Sequence, residues 1–286
     1  MTPSRDPADD TSESSAHHLT RRRLLGAGAA VGATALAGCN GTFLRIESTT
    51  TTVERRFDAA DLAALRVTEA TDDVSVARTD RDTVLVRAEK RARGETELSE
   101  LRLHTEVAGD SLEVSTTEPT VVGVGGGSVA LELEVPGSVA VERVATDDGD
   151  VALRDTAGDT VIETGDGDVA VEGTTGAVTA RTSDGEVTVE SAGAVREVRS
   201  GDGSVTAAVP AVDGSASVHS DDGDVVVRLG ALDATVELTT GDGEVTVAGV
   251  DGVETSTDER VVLSLGDGSG ELTVHTGDGD VTATAL

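Results

Sequence analysis

The sequence is poor in aromatic residues and in cysteine. Its 286 residues include no Trp, no Tyr, two Phe and a single Cys. One cysteine cannot form a disulfide within the chain. The absence of Trp and Tyr also removes the rings on which sugar-binding sites commonly stack their ligands. An intrachain disulfide is therefore excluded, and the usual aromatic platforms for sugars are absent.

Positive charge is also scarce. The chain has 54 acidic against 22 basic residues, a formal net charge of −32, and Lys90 is its only lysine. Such a surface repels nucleic acid and anionic lipid headgroups, so neither is an expected partner. Abundant Asp and Glu with almost no Lys resembles the proteins of salt-loving archaea, where a screening length of ~3 Å at 1 M salt suppresses carboxylate repulsion. Disorder is the other interpretation of such charge.

One phrase recurs through the second half of the chain: a hydroxyl residue, a short Gly/Asp turn and a β-branched segment. The first three steps between copies are 18 residues, the next two are 20, and the last is 36, so one copy near residues 257–260 has lost its glycine. A fixed period of this size predicts stacked supersecondary units rather than disorder. The copies begin at Thr146, Thr164, Thr182, Ser200, Ser220, Thr240 and Thr276.

Each period holds two short alternating segments, which predict two strands. Neither strand can bury its apolar side alone. Stacking solves this by placing Val169 between Val151 and Val187, with ~4.8 Å between coils. We therefore predict an all-β fold in which residues 146–286 form a parallel β-solenoid with coils of 18–20 residues.

Four columns of turn residues follow from the stacking. The hydroxyl column, formed by the seven residues that begin the copies, is predicted to point inward and cap the turn. The Gly column is predicted to adopt positive φ, which favours glycine over residues with a Cβ. Its members are Gly149, Gly167, Gly185, Gly203, Gly223, Gly243 and Gly279.

The turn carboxylates are the candidate metal ligands. Neighbouring carboxylates ~4.8 Å apart repel by roughly 1 kcal/mol, and Ca²⁺ between coils would relieve this repulsion. The alternative is a column solvated by salt water, and the nonapeptide repeat of calcium-binding β-rolls is not matched. The first Asp column is Asp148, Asp166, Asp184, Asp202, Asp222, Asp242 and Asp278. The second is Asp150, Asp168, Glu186, Asp224, Glu244 and Asp280, interrupted at Ser204.

The chain start has the layout of an export signal. Arg21–Arg23 precede an apolar run over 24–37 that is too short for a membrane span. This layout is that of a signal peptide over residues 1–38, and the arginines resemble a twin-arginine signal. Residues 36–39, Leu-Ala-Gly-Cys, resemble a lipobox. We expect Cys39 to be lipidated, which places the protein on the extracellular face of the cytoplasmic membrane.

Two further segments precede the repeats. Residues 39–56 are predicted to be a Thr-rich tether, with a hydroxyl run at Ser48–Thr52 that could carry O-glycans. Residues 57–145 alternate without the tight period. We assign them to irregular N-terminal strands that cap the solenoid, because a stack needs an atypical terminal unit.

Enzyme templates are poorly matched. The sequence has no Gly-x-Ser-x-Gly elbow and no completed Gly-x-Gly-x-x-Gly loop. His219 and His275 share a repeat position, and the period places them about three coils apart, too far for a shared metal. We do not expect an enzyme. A polysaccharide-acting enzyme using paired carboxylates is the remaining catalytic alternative.

The layout resembles a known family. A tethered start, a Leu-x-Leu-x-Val-Pro strand at 131–136 and Thr-Gly-Asp-Gly-Asp-Val repeats are similar to DUF4097, a family of β-solenoids whose members are often labelled provisionally as adhesins. The resemblance implies surface attachment and supplies no catalytic residues. We therefore expect a lipid-anchored adhesion or envelope-scaffold protein whose partner is an envelope protein or polysaccharide. The last strand, Val281–Leu286, is a candidate edge for self-association.

Overall fold

The computed structural model describes residues 48–119 and 125–286, which form 23 strands and one short 3-10 helix, Ala59–Asp61. The strands of the N-terminal half are β1 Ser48–Asp58, β2 Ala64–Ala70, β3 Val74–Thr79, β4 Thr83–Gly94, β5 Arg102–Ala108, β6 Ser111–Thr117, β7 Gly125–Pro136, β8 Ala140–Thr146, β9 Val151–Thr156, β10 Thr160–Glu163 and β11 Val169–Thr174. The remaining strands are β12 Ala177–Arg181, β13 Val187–Glu190, β14 Ala194–Ser200, β15 Val205–Val209, β16 Ser215–Ser220, β17 Val225–Leu229, β18 Ala234–Thr240, β19 Val245–Ala248, β20 Val253–Ser256, β21 Arg260–Leu265, β22 Gly270–Thr276 and β23 Val281–Ala285.

The strands form two sheets between which the chain alternates. Sheet A has eleven strands in the order β1-β4-β7-β3-β9-β11-β13-β15-β17-β23-β19. Sheet B has twelve in the order β20-β21-β18-β22-β16-β14-β12-β10-β8-β2-β6-β5. One strand of sheet B followed by one strand of sheet A makes a coil, and neighbouring coils pair in parallel. Val169 pairs with Val151 on one side and Val187 on the other, which confirms the predicted parallel β-solenoid.

The core lies between the two sheets. Alternate valines and leucines of both sheets point inward and form one continuous apolar cluster along the stack. Val171, Val189 and Val198 have no exposed surface. Each such side chain stabilises the fold by roughly 1.5–3 kcal/mol relative to an exposed position.

The C-terminal coil is inserted into the stack rather than added at its end. β22 lies between β16 and β18, and β23 lies between β17 and β19. Val281 pairs with Val225 on one side and with Val245 on the other. The prediction that Val281–Leu286 is an open edge is therefore wrong, because both sides of this strand are already hydrogen-bonded within the chain.

The coils at the N-terminal end are also stacked out of sequence order. The β2–β3 coil lies between the β6–β7 coil and the β8–β9 coil. Antiparallel strands then extend the sheets past the last coil. These are β4 and β1 in sheet A and β5 in sheet B, and at the opposite end β21 and β20 in sheet B.

The predicted tether is wrong over residues 48–56. Ser48–Asp58 forms β1, paired antiparallel with β4 from Ser48 opposite Arg93 to Asp58 opposite Thr83. The β-branched threonines favour a strand, and Val53 and Phe57 pack against the core. The missing repeat copy forms the turn between β20 and β21, where Thr257 Oγ1 accepts the N–H of Arg260 at 3.0 Å.

The predicted signal peptide, Cys39 and the start of the tether lie outside the described residues. Within the ranges that the structure describes, no helix is both long enough and apolar enough to span a membrane.

Candidate functional site

The stacked turns contain most of the residues predicted to be functional, and the hydroxyl column holds them together. Six hydroxyls donate to the carbonyl oxygen of a Gly-column residue in the neighbouring coil, at 2.6–2.9 Å. Four of them also accept the N–H of the Gly-column residue in their own turn, at 2.9–3.2 Å. All seven members are buried. Their predicted inward orientation and capping role are confirmed.

The Gly column has a different cause from the one predicted. Its seven members are absent from the glycines with positive φ. The constraint is instead the contact between coils. A Cβ on Gly167 would lie 2.0 Å from the carbonyl oxygen of Gly149, and one on Gly185 would lie 2.0 Å from that of Gly167. Only glycine allows the turns to stack at strand spacing.

The second Asp column has a structural role between coils. Asp150 Oδ1 accepts the N–H of Asp168 at 2.9 Å, and Asp168 Oδ1 accepts that of Glu186 at 2.8 Å. Asp224 Oδ1 accepts the N–H of Asp280, and Asp280 Oδ1 accepts that of Glu244, at 2.9 Å each. These oxygens are engaged by the backbone, which leaves fewer of them for a cation.

The distribution of Asp and Glu within this column follows the hydrogen bonds. Each Asp of the column bonds an N–H in the following coil. The next column member in the stack after Glu186 is Ser204, and Glu244 lies in the β18–β19 coil at the end of the stack. Among the described residues, neither glutamate side chain makes this bond. Sequence reasoning missed Asp73, which begins the series by accepting the N–H of Asp150 at 3.0 Å. Its signal was the early Thr-Asp-Asp-Val copy at 71–74.

The first Asp column forms an exposed acidic edge. Its carboxylates make no hydrogen bond or ion pair with any residue that the structure describes, and all seven are exposed. The inserted C-terminal coil changes their order in space, because Asp278 lies between Asp222 and Asp242. In residues 48–119 and 125–286, no group of three or more His, Cys, Asp or Glu side chains is arranged to hold a metal ion. The calcium hypothesis therefore gains no support from the geometry and stays a prediction.

The outward side of sheet B has a row of ion pairs. Arg181 binds both Glu197, at 2.5 Å, and Glu163, at 3.3 Å. The hydrogen bond from Arg181 holds the pKa of Glu197 below its ordinary value. The other pairs of this row are Arg66–Glu142, Arg143–Glu163, Arg199–Asp221 and Arg260–Glu237.

The two histidines lie side by side on this face. His219 pairs with His275 across β16 and β22, and their rings stack with centroids 5.2 Å apart. The prediction that about three coils separate them is wrong, because the period does not reveal the insertion of β22 next to β16. His219 Nε2 lies 2.7 Å from Asp221 Oδ1, and His275 Nδ1 lies 3.0 Å from Thr239 Oγ1. The contact with His219 and the nearby Arg199 lower the pKa of Asp221.

A shallow groove of about 560 Å³ lies on the outward side of sheet A near the N-terminal end. Arg87 and Arg91 line it, and both are neutralised within the chain. Arg87 binds Glu132 at 2.7 Å, and Arg91 binds Glu89 at 2.9 Å. The groove therefore offers little free positive charge to a ligand, and the carboxylates of Asp72, Asp73 and Asp150 also line it.

Comparison with known proteins identifies the repeat region. Residues 143–284 match the family model of DUF4097, described as Toastrack. No curated protein matches the chain. A Clostridium sporogenes protein provisionally described as a cell adhesion protein is 9% identical, with 83% of this chain and 100% of that one covered and a TM-score of 0.40. A provisional adhesin of Bacteroides fragilis is 12% identical, with 82% and 97% covered and a TM-score of 0.39. One from Parabacteroides distasonis is 14% identical, with 82% and 97% covered and a TM-score of 0.40.

Proposed function

We propose that this protein is a cell-surface adhesion or envelope-scaffold protein that binds its partner through the acidic edge formed by the first Asp column. The observation that carries the proposal is the regular line of exposed carboxylates with no partner among the described residues. The second Asp column and the hydroxyl column hold neighbouring coils together. The first column is therefore free to contact another molecule.

The stack suits this role because it presents one chemical group repeatedly. Parallel pairing sets the spacing of coils at ~4.8 Å, so the carboxylates form an array with a fixed repeat. Such an array favours a partner that is itself extended and has regularly spaced cations or hydroxyl groups. An envelope protein or polysaccharide fits this description, and the match of residues 143–284 to DUF4097 supports the same general class.

Attachment to the membrane is the second part of the proposal. Cys39 follows the apolar run 24–37 at the position that a lipobox requires. A lipid on Cys39 would hold the folded stack at the outer face of the cytoplasmic membrane. Two signals are normally needed for stable anchoring by acyl chains, and the diacylglycerol group of a lipoprotein cysteine would supply them as its two acyl chains.

The anchor is tested by fractionating cells that express the chain or its Cys39→Ser variant. We expect the unaltered chain in the membrane fraction, accessible to protease added to whole cells. The variant should leave that fraction. Equal membrane retention of both proteins would contradict lipidation at Cys39.

The acidic edge is tested by measuring adhesion of the same cells to envelope preparations. Asp166→Asn and Asp184→Asn together should reduce adhesion, because they remove two adjacent charges without disturbing a hydrogen bond. The matched control is Glu106→Gln together with Asp110→Asn, which removes two charges from the β5–β6 hairpin, far along the chain from the repeats. Equal adhesion by all three proteins would contradict a role for the edge.

A further inference from the structure

The basic residues without an ion pair are concentrated at the N-terminal end of the stack. Every arginine from Arg143 onward is ion-paired within the chain. Among the described residues, five basic side chains have no such partner, and all five precede residue 103. Four of these lie on β1, β4 and β5, the antiparallel strands that extend the sheets at this end. These four are Arg55, Lys90, Arg93 and Arg102.

The opposite end of the stack is acidic. Its only basic residue, Arg260, is paired with Glu237 at 2.7 Å. The carbonyl of Asp258 accepts the N–H of Val245 at 2.8 Å, and that of Glu259 accepts the N–H of Thr240 at 3.1 Å. The 257–259 turn therefore lies along the edge of the β18–β19 coil, which is the last coil in the stack. Within the described ranges, the acidic residues of this end have no ion pair. They are Asp242, Glu244, Asp251, Glu254, Asp258 and Glu259.

Exposed apolar side chains mark the two free edges of sheet B. Among the described residues, the exposed large hydrophobic side chains are Val107 on β5, Val253 on β20 and Leu286, and the first two are 46% and 50% exposed. Val107 pairs with the buried Leu112, and Val253 pairs with the buried Leu263. Both valines therefore lie on the side of sheet B that faces the core, at opposite ends of the stack.

The strand directions allow these two edges to pair. β20 is antiparallel to β21, which is antiparallel to β18, so β20 runs with the parallel coils. β5 is antiparallel to β6 and runs against them. A β20 edge placed beside the β5 edge of a second copy makes an antiparallel ladder, which continues the pattern found at both ends.

The two ends also have matching profiles. Past the last coil at the N-terminal end, sheet A extends by β4 and β1 and sheet B by β5 alone. At the C-terminal end, sheet B extends by β21 and β20, and sheet A stops at β19. If β20 pairs with β5 of the second copy, sheet A keeps a gap between β19 and β1 of the second copy. This gap is the width of one strand, ~4.8 Å. The 257–259 turn occupies that position and would face Arg55 on β1.

We propose that copies of this chain associate head to tail, with β20 of one copy paired to β5 of the next and Val253 packed beside Val107. Arg55 on β1 faces the acidic 257–259 turn, and the unpaired cations of β4 and β5 lie at the same end of the stack, which opposes the general repulsion between molecules of such high negative charge. The contact is heterologous, so it repeats from copy to copy and produces an open-ended series. It does not depend on the proposed adhesion role.

Cysteine cross-linking tests this contact directly. In a Cys39→Ser background the full chain contains no other cysteine, so every disulfide reports an engineered position. Mixing a Val107→Cys chain with a Val253→Cys chain under mild oxidation should give covalent dimers on a non-reducing gel, at least about tenfold more than either chain alone. A chain with both changes should give a series of multiples. Both positions are half-exposed, so the fold should tolerate the changes.

The matched control replaces Val107→Cys with Thr188→Cys, which lies on the outward side of sheet A in the middle of the stack. Dimers at the same level with Thr188→Cys, or no dimers in the original mixture, would overturn the proposal. A charge exchange provides a second readout by sedimentation. Arg55→Glu with Arg102→Glu should prevent association, as should Asp258→Lys with Glu259→Lys, and mixing the two variants should restore it. Association of either variant alone would place the interface elsewhere.

Discussion

The middle coils and the C-terminal coils use the same turn chemistry but stack in different orders. From β10 to β17, each coil lies on the one that precedes it in sequence. After β17, the last coil of the chain enters before the coil formed by β18 and β19. Thr182 donates to the carbonyl of Gly167, 15 residues away, in the expected order at 2.9 Å, and Thr276 donates to the carbonyl of Gly223 across the insertion at 2.6 Å. The turn chemistry specifies that coils stack, and not which coil follows which.

The largest effect should come from a Cβ in the Gly column of the middle coils. Gly167→Ala places a methyl group 2.0 Å from the carbonyl oxygen of Gly149, whereas Gly279→Ala at the inserted coil meets Gly223 at 2.5 Å. We expect the free energy of unfolding to fall by about 3 kcal/mol for the first and by less for the second. Denaturant unfolding followed by far-ultraviolet circular dichroism measures both.

Gly270→Ala is the matched control, because its Cβ would approach no atom closer than 3.3 Å. An equal loss at Gly167 and Gly270 would contradict close contact between coils as the reason for the Gly column.

The next effect concerns the hydroxyl column. Thr182→Val conserves shape but leaves the carbonyl of Gly167 and the N–H of Gly185 without their partner. Buried unsatisfied groups cost about 1–3 kcal/mol, and Thr276→Val at the inserted coil should cost a similar amount. Thr188→Val on the outward side should change stability by less than about 0.5 kcal/mol. Thermal melts of the three variants give the comparison, and a Thr188 effect as large as the others would refute it.

A smaller effect separates the two Asp columns. Asp168→Ala removes the acceptor of the Glu186 N–H and should cost about 1 kcal/mol, whereas Asp168→Asn keeps an acceptor oxygen and should be close to neutral. Asp166→Ala, in the first column, should not destabilise the fold. Measuring the unfolding free energies of the three variants tests whether the two columns differ in role. A loss at Asp166 equal to that at Asp168 would show that the two columns do not differ in role.

The stability of the contact between the middle coils and the inserted coil should depend weakly on pH. The contact with His219, aided by Arg199, lowers the folded-state pKa of Asp221 below 3.8, so its contribution is present above that value and is lost as the pH falls through the folded-state pKa. Asp221 is half exposed, so screening limits the effect to less than about 1 kcal/mol. The unfolding free energies of the unaltered chain and of Asp221→Asn should therefore differ near about pH 6, and the difference should shrink as the pH falls below 3.8. A constant difference would contradict this linkage.

Calcium should have the smallest effect. Millimolar Ca²⁺ is expected to raise the melting temperature no more than a monovalent salt of equal ionic strength, because the second-column oxygens are engaged by backbone N–H groups. A Ca²⁺-specific rise that a chelator reverses would instead support the calcium-binding hypothesis, since a ligand of the folded state alone must stabilise it.

The sequence allowed the repeating architecture to be predicted because its signal is local. Val151, Val169 and Val187 lie one period apart, and the period sets the register of their strands. The order of coils at the ends is not local. Val281 could pair with any free valine of the same column, which is why the contact between His219 and His275 and the two-sided pairing of β23 were missed. The Ser48–Thr52 run has the composition of a linker, and only its pairing partner β4 reveals it as a strand.

The inserted coil also determines the sequence of events in folding. Asp168 and Asp150 are 18 positions apart, whereas Asp280 and Asp224 are 56 apart, so closing the second contact costs about 1 kcal/mol more chain entropy. At the N-terminal end, Asp150 and Asp73 are 77 apart. The middle coils should therefore nucleate first, and both ends should join later. A partly folded chain can also place β18 against β16 prematurely, since the contacts match, and must release it before β22 can enter. We expect this correction to slow folding, in addition to the time needed to form the coils themselves.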